Sequence, residues 1–92
     1  MIVRIFSEGQ YRIPDGERPR LNELDQQASD AVDAGDEDAF KRTFTALLDH
    51  IRSSGQRLAD DDLEPSDLML PPPDISLEEA REEFTGEGLI PD

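Results

Sequence analysis

The sequence predicts an α+β fold in which an N-terminal β-hairpin packs on an antiparallel αα-hairpin, followed by a short C-terminal helix. Three observations support this prediction. Residues 2–6 are β-branched or aromatic apart from Arg4, which is typical of a strand. Residues 19–54 carry two apolar stripes at helical spacing, separated at Gly35. Residues 56–75 are rich in Asp and Pro, which exclude a long helix there.

The hairpin is predicted over residues 2–14. Tyr11-Arg12-Ile13 forms the second β-like run, and Gly9 between the runs supplies the positive φ that a tight turn requires. Pro14-Asp15-Gly16 then ends the strand with residues that favour turns. Because an isolated hairpin is only marginally stable in water, we expect this one to pack on the helices.

Two helices are predicted over residues 19–34 and 36–54, ended by Gly35 and Gly55, with Asp36 as the N-cap of the second. The apolar stripe of the first helix consists of Leu21, Leu24, Ala28, Ala31 and Val32. The second stripe is the most apolar in the chain and consists of Phe40, Phe44, Leu47, Leu48 and Ile51. Because the link is so short, the helices must fold back on each other.

The remaining residues complete a single predicted domain over 1–92. Residues 56–75 are interpreted as a loop with a short third strand near 67–70. Leu68-Met69-Leu70 in that strand is either part of the core, which we favour, or a docking edge open to β-augmentation. Ser76 and Glu79 resemble a capping box that begins a helix over 76–85, in which each of the two side chains accepts a free backbone N–H. The tail 86–92 is expected to dock on the core.

Charge is unevenly distributed along the chain. The net charge is −14; residues 1–59 hold 11 acidic and eight basic residues, whereas residues 60–92 hold 12 acidic residues and one base, Arg81. Such a surface disfavours direct binding to nucleic acid or to anionic lipid and favours a basic protein partner. A compositional bias or a solvated acidic face is the alternative interpretation. No apolar run is long enough to span a bilayer, so we expect no membrane insertion.

Nothing in the sequence predicts catalysis, a cofactor or a strong metal site. Cysteine is absent, and His50 is the single histidine, expected to be exposed and without a partner acid. Asp60-Asp61-Asp62-Leu63-Glu64 lacks the spacing of an EF-hand and is interpreted as a solvated acidic loop rather than a cation site. A domain this small is also expected to have little room for a pocket. We therefore predict partner binding, not enzymatic activity, at residues Asp60, Asp61, Asp62, Glu64, Asp67, Leu68, Met69, Leu70, Glu78, Glu79, Glu82 and Glu83.

The chain resembles the PspA-associated domain family, PspAA, in three segments. These are the opening residues 1–11 and the helix start Leu21-Asn22-Glu23-Leu24-Asp25. The third is the run Pro65-Ser66-Asp67-Leu68-Met69-Leu70-Pro71-Pro72, followed by Leu77-Glu78-Glu79 and the ending Gly86-Glu87-Gly88-Leu89-Ile90-Pro91. The resemblance implies a cytoplasmic accessory or regulatory protein that acts on PspA, the coiled-coil, membrane-remodelling effector of the phage shock (envelope stress) response. It assigns no catalytic residues, and it implies membrane association only through the partner.

Two other interpretations remain open at this point. One is an acidic inhibitor or nucleic-acid mimic of a basic DNA-binding regulator, which requires carboxylates spaced along one face. The other is a self-associating structural module, a homo-oligomer in which the hairpin edge pairs across a dimer.

Overall fold

A computed structural model of the chain describes residues 1–59 and 65–84. The elements, in chain order, are β1 (Ile2–Ile5), β2 (Gly9–Arg12), α1 (Arg18–Ala34), α2 (Glu37–Ser54), β3 (Gln56–Arg57), β4 (Leu68–Leu70) and α3 (Leu77–Glu83). A 3-10 turn over Asp15–Glu17 leads into α1. The predicted α+β fold, with a β-hairpin, a helical hairpin and a short C-terminal helix, is confirmed.

The four strands form one mixed sheet in the order β3-β2-β1-β4. β1 and β2 pair antiparallel, with Val3 opposite Tyr11, and β4 runs parallel to β1, with Leu68 opposite Val3. β3 pairs antiparallel with β2 and was not predicted, because its two exposed polar residues carry no strand signature. Both edges of the hairpin are therefore covered within the chain, so the hairpin edge is not available for pairing across a dimer.

The helical hairpin buries both predicted stripes in a single core shared with the sheet. Gly35 ends α1 in the left-handed conformation, with φ 70° and ψ 23°, as predicted. The carboxylate of Asp36 accepts a hydrogen bond from the Ala39 N–H at 3.0 Å and so caps α2. Because the turn is this tight, α1 and α2 lie antiparallel, and their facing apolar side chains form the centre of the molecule.

Gly55 ends α2 for a different reason. Its backbone is extended, with φ −95° and ψ 160°, so no left-handed conformation is needed. A β-carbon at this position would instead lie 2.7 Å from the Ile51 carbonyl oxygen and 3.2 Å from Cβ of Tyr11, and it would also overlap Ile13. Glycine is required because the hairpin passes directly over the end of α2.

Helix α3 is held to the core by an aromatic cluster. The Phe84 ring, which follows α3, meets Phe40 and Phe44 edge-on at centroid distances of 5.7 and 6.1 Å. At the other end, Ser76 Oγ accepts the Glu79 N–H at 3.1 Å, as a capping box predicts. The Glu79 carboxylate accepts the Ser76 hydroxyl at 3.0 Å and not a backbone N–H, which corrects the second half of that prediction.

The predicted end of the last helix and the predicted docking of the tail 86–92 lie outside the described residues. Within residues 1–59 and 65–84, no helix is both long and apolar enough to cross a bilayer.

Candidate partner-binding groove

An open groove of about 510 Å³ lies where the ends of β1 and β4 meet α3. Its buried lining consists of Leu70, Pro71 and Ile75, and Pro72 is half-buried beside them. Phe6 and Met69 contribute exposed apolar side chains, and α3 contributes the carboxylates of Glu79, Glu82 and Glu83. These nine residues are called the groove below. Its volume lies within the usual range of ~300–1,000 Å³ for binding pockets, so the expectation of little room was wrong.

Phe6 and Met69 are the two large apolar side chains that the described residues leave exposed, at 57% and 58%. Their exposure follows from strand alternation. Met69 lies opposite the exposed Arg4 on the outer face of the sheet, whereas its neighbour Leu70 points into the core and is 1% exposed. The Phe6 N–H donates to the Leu70 carbonyl at 2.9 Å, which holds the two strand ends, and with them both side chains, together.

The acidic side of the groove is one face of α3. Glu79, Glu82 and Glu83 are spaced at i, i+3 and i+4, so they project from the same side of the helix. Glu79 is engaged with Ser76, but within residues 1–59 and 65–84 neither Glu82 nor Glu83 has an ion-pair partner. The single base of the helix, Arg81, points away and reaches toward Gly35. In the part of the chain that the structure describes, the groove therefore combines apolar surface with negative charge that no ion pair compensates.

The backbone edge of β4 offers little to a partner strand. Leu70 hydrogen-bonds to β1, so by alternation only Met69 in this strand directs its N–H and C=O outward. Pro71 follows at once and has no N–H, which is a common way to protect an exposed edge. The site is accordingly made of side chains, and the β-augmentation alternative receives no support from the geometry.

The structure brings together Met69, Leu70, Glu79, Glu82 and Glu83 from the residues predicted to bind a partner. Leu68 instead packs against the core, and Glu78 is exposed outside the groove. The remaining predicted acids in the loop, Asp60, Asp61, Asp62 and Glu64, lie outside the described residues. Sequence reasoning missed Phe6 and Ile75 because strand and loop patterns do not indicate which distant residues share a surface.

Asp67 has a structural role. Its Oδ2 accepts the Ile2 N–H at 2.8 Å, and its own N–H donates to the Ile2 carbonyl at 2.8 Å. Beside it, Ser66 Oγ accepts from Gln10 Nε2 at 2.7 Å. The two bonds to Ile2 hold the start of β4 against β1, and the Gln10 bond ties the preceding residue to β2. The Asp67 carboxylate is therefore occupied within the fold, and Asp67 is not among the residues that line the groove.

A second polar cluster fastens the hairpin turn to α2. The Glu8 carboxylate accepts from Arg52 Nε at 2.9 Å and from the Tyr11 hydroxyl at 2.8 Å, while Arg52 Nη1 also reaches Asp49 at 2.9 Å. The Arg52 hydrogen bond lowers the pKa of Glu8 below its ordinary value, although partial burial opposes this shift. Burial, followed by the bond to Glu8, raises the pKa of Tyr11. Every group in this cluster is already paired, so the cluster stabilises the packing of the hairpin turn on α2.

The single histidine of the chain lies beside an acid. His50 is half-buried, and its Nε2 lies 2.8 Å from Glu17 Oε2, which corrects the expectation of an exposed histidine without a partner acid. Among residues 1–59 and 65–84, no three acidic or histidine side chains converge closely enough to hold a metal ion.

The fold and the groove define a small α+β domain with an open groove lined by apolar side chains and glutamates. The chain belongs to the PspA-associated protein family, PspAA, whose family model matches residues 1–92. Neither the curated proteins nor the solved structures yielded a match. The name of the family associates the chain with PspA.

Proposed function

We propose that this chain is a non-enzymatic accessory protein that regulates PspA in the phage shock (envelope stress) response by binding it through the groove. The observation that carries the proposal is the juxtaposition of exposed Phe6 and Met69 with the carboxylates of Glu82 and Glu83, which have no ion-pair partner among residues 1–59 and 65–84. Exposed apolar side chains cost free energy in water until a partner covers them, and carboxylates beside them favour a partner of opposite charge. The protein would act in the cytoplasm and reach the membrane only through PspA.

The composition of the groove supports a binding role over catalysis. Its nine lining residues are apolar or glutamate, without a hydroxyl, thiol or imidazole among them. Carboxylates can also act as nucleophiles or as general acids and bases, but catalytic groups commonly have pKa values that burial or a neighbouring charge has shifted strongly. The clearest pKa shifts of the described residues are at Glu8, Tyr11 and Arg52, which fasten the hairpin and lie outside the groove.

The described part of the chain favours neither the nucleic-acid mimic nor the self-associating structural module. A nucleic-acid mimic needs regularly spaced carboxylates on one face, whereas exposed acids here lie on all three helices and include Glu23, Asp38 and Glu82. Self-association through the hairpin edge is blocked by β3 and β4, which occupy both sides of the hairpin. The groove remains the surface with the clearest means of recognising a partner.

Co-purification with PspA tests the proposal. We expect a complex at about 50 mM salt that weakens at about 500 mM, because the exposed charges are screened within a Debye length. Met69→Glu, which adds a charge at the apolar rim, should abolish the complex. Glu82→Gln with Glu83→Gln should weaken it, whereas Glu23→Gln with Asp30→Asn makes the same change in net charge outside the groove and should leave it intact. Absence of a complex at low salt, or equal loss in both double variants, contradicts the proposal.

A further inference from the structure

We propose that the groove binds one amphipathic helix with a basic polar face, of the kind that lies on anionic membranes. Protein and membrane would then compete for the same helix. This inference rests on the proposed function and specifies the chemistry of the partner segment and how its binding is regulated. Three properties of the groove lead to this inference: the size of its apolar surface, its charge, and the few hydrogen-bonding groups that its edge strand β4 exposes.

The dimensions suit a helix. An open volume of about 510 Å³ takes on the order of three large side chains, which is the i, i+4 and i+7 set from two helical turns. Buried Leu70 and Ile75, with Pro71, form a rigid apolar base, while Phe6 and Met69 stand above it. Methionine adapts readily to different apolar side chains and is common at surfaces that receive helices.

The edge disfavours an extended peptide. A partner strand would need a row of outward N–H and C=O groups, but β4 presents only those of Met69 before Pro71 interrupts the row. A helix satisfies its own backbone hydrogen bonds and needs only side-chain contacts. The geometry therefore selects a helical occupant.

The negative charge of the groove favours a basic helix. Glu79, Glu82 and Glu83 flank the apolar surface, and none of the described residues that line the groove is basic. An acidic helix would be repelled, and a neutral helix would leave the carboxylates unpaired. Lys or Arg side chains beside the apolar stripe of the partner would meet Glu82 and Glu83, which have no ion-pair partner within residues 1–59 and 65–84.

An anionic membrane surface presents the same two features. Helices that lie on such membranes insert an apolar face and direct Lys and Arg toward negatively charged headgroups. The groove offers apolar surface bordered by carboxylates to the same helix face. One helix cannot present that face to both surfaces at once, so occupation of the groove withdraws it from the membrane.

The binding test uses a fluorescein-labelled synthetic helix of about five turns, with Leu on one face and Lys on the other. We expect the full-length protein to raise its anisotropy, and Glu82→Gln with Glu83→Gln to weaken binding by roughly three- to tenfold. Met69→Glu should weaken it more, and the charge-matched control Glu23→Gln with Asp30→Asn should match wild type. Peptides with Lys replaced by Glu, or Leu by Ser, should not bind. Equal loss in both double variants would falsify the proposed charge recognition.

The competition test adds vesicles that contain phosphatidylglycerol. Excess wild-type protein should release the prebound Leu/Lys peptide from these vesicles, and the Met69→Glu protein should not. Continued attachment of the peptide at protein concentrations that saturate it in solution would overturn the competition. If PspA co-purifies but the peptide does not bind, the inference fails and the proposed function stands. If the peptide binds but PspA does not co-purify, the groove is a helix-binding site and the proposed function fails.

Two other occupants are outcomes of the same experiments. If a second copy fills the groove, wild-type protein sediments as a dimer and Met69→Glu as a monomer. If the chain's own C-terminal residues fill it, Leu89→Ser with Ile90→Ser binds the peptide more tightly than wild type does. Either result overturns the proposed helix as the resident partner.

Discussion

The Glu8 carboxylate in the hairpin turn accepts a hydrogen bond from Nε of Arg52 in the last turn of α2, at 2.9 Å. A second bond joins Arg52 Nη2 to the other carboxylate oxygen, so the pair is bidentate, and both side chains are at least two-thirds buried. This contact spans 44 residues of sequence and joins the sheet to the helical hairpin. It orients the whole hairpin, including the end of β1 that carries Phe6 into the groove.

Glu8→Gln should lower the free energy of unfolding at pH 7 by about 1–2 kcal/mol, since hydrogen bonds to charged groups contribute that much when partly buried. The pKa of Glu8 is lowered in the fold, so its contribution is present above the unfolded value of about 4.3 and is lost as pH falls through the lower folded value. The difference between variant and wild type should therefore shrink below about pH 4.

Urea unfolding across this pH range checks the prediction. Glu37→Gln is the matched control, because Glu37 forms an exposed pair with Lys41 at 3.0 Å and should change stability by less than about 0.5 kcal/mol. A Glu8→Gln difference that does not vary with pH would show that the carboxylate charge is unimportant.

Gly55→Ala should destabilise the fold by about 1–3 kcal/mol, although the backbone conformation of Gly55 is open to alanine. The added methyl group meets the Ile51 carbonyl oxygen at 2.7 Å and overlaps Ile13, so the hairpin must move away from α2. Gly16→Ala is the control, because nothing lies within 4 Å of its β-carbon position. Thermal unfolding should separate the two variants, and equal melting temperatures would contradict the close approach.

Phe84→Ala should cost about 3–5 kcal/mol, the usual range for a buried phenylalanine, because it removes both edge-on contacts, with Phe40 and with Phe44. It should also loosen α3 and weaken partner binding under conditions where the protein remains folded. For stability, Phe6→Ala is the control of equal size, since Phe6 is 57% exposed and its loss should change stability by less than about 0.5 kcal/mol. Phe6→Ala should also weaken binding, because Phe6 lines the groove. Chemical denaturation and binding measurements on both variants check the prediction. Similar losses of stability in the two variants would show that Phe84 does not hold α3 to the core.

Asp67→Ala should lower stability by about 1–2 kcal/mol, because the Ile2 N–H loses its acceptor at the start of β4. Asp67→Asn keeps an acceptor oxygen and should lose much less. Neither variant should change the salt dependence of partner binding if Asp67 acts within the fold. Urea titration and co-purification at two salt concentrations check this prediction. If binding by Asp67→Asn depended less on salt than binding by wild type, Asp67 would be part of the partner interface.

Local signals account for the elements that sequence reasoning predicted. The apolar stripes around Leu24 and Phe44, the left-handed Gly35 and the Asp36 cap each depend on residues within a few turns of one another. The parallel pairing of β4 with β1 joins residues about 65 positions apart, and a pattern of three residues cannot specify it. β3 is shorter still and has no apolar residue to indicate a face.

The candidate site divides along the same line. The sequence by itself determined that negative charge is concentrated after residue 59 and that apolar residues precede the prolines, because both features depend only on the order of residues along the chain. Only the tertiary structure decided that Phe6 joins Met69, that Arg81 points away, and that Asp67 is used within the fold. A groove is formed by surfaces from distant segments, so it exists only once β1, β4 and α3 have packed around one core.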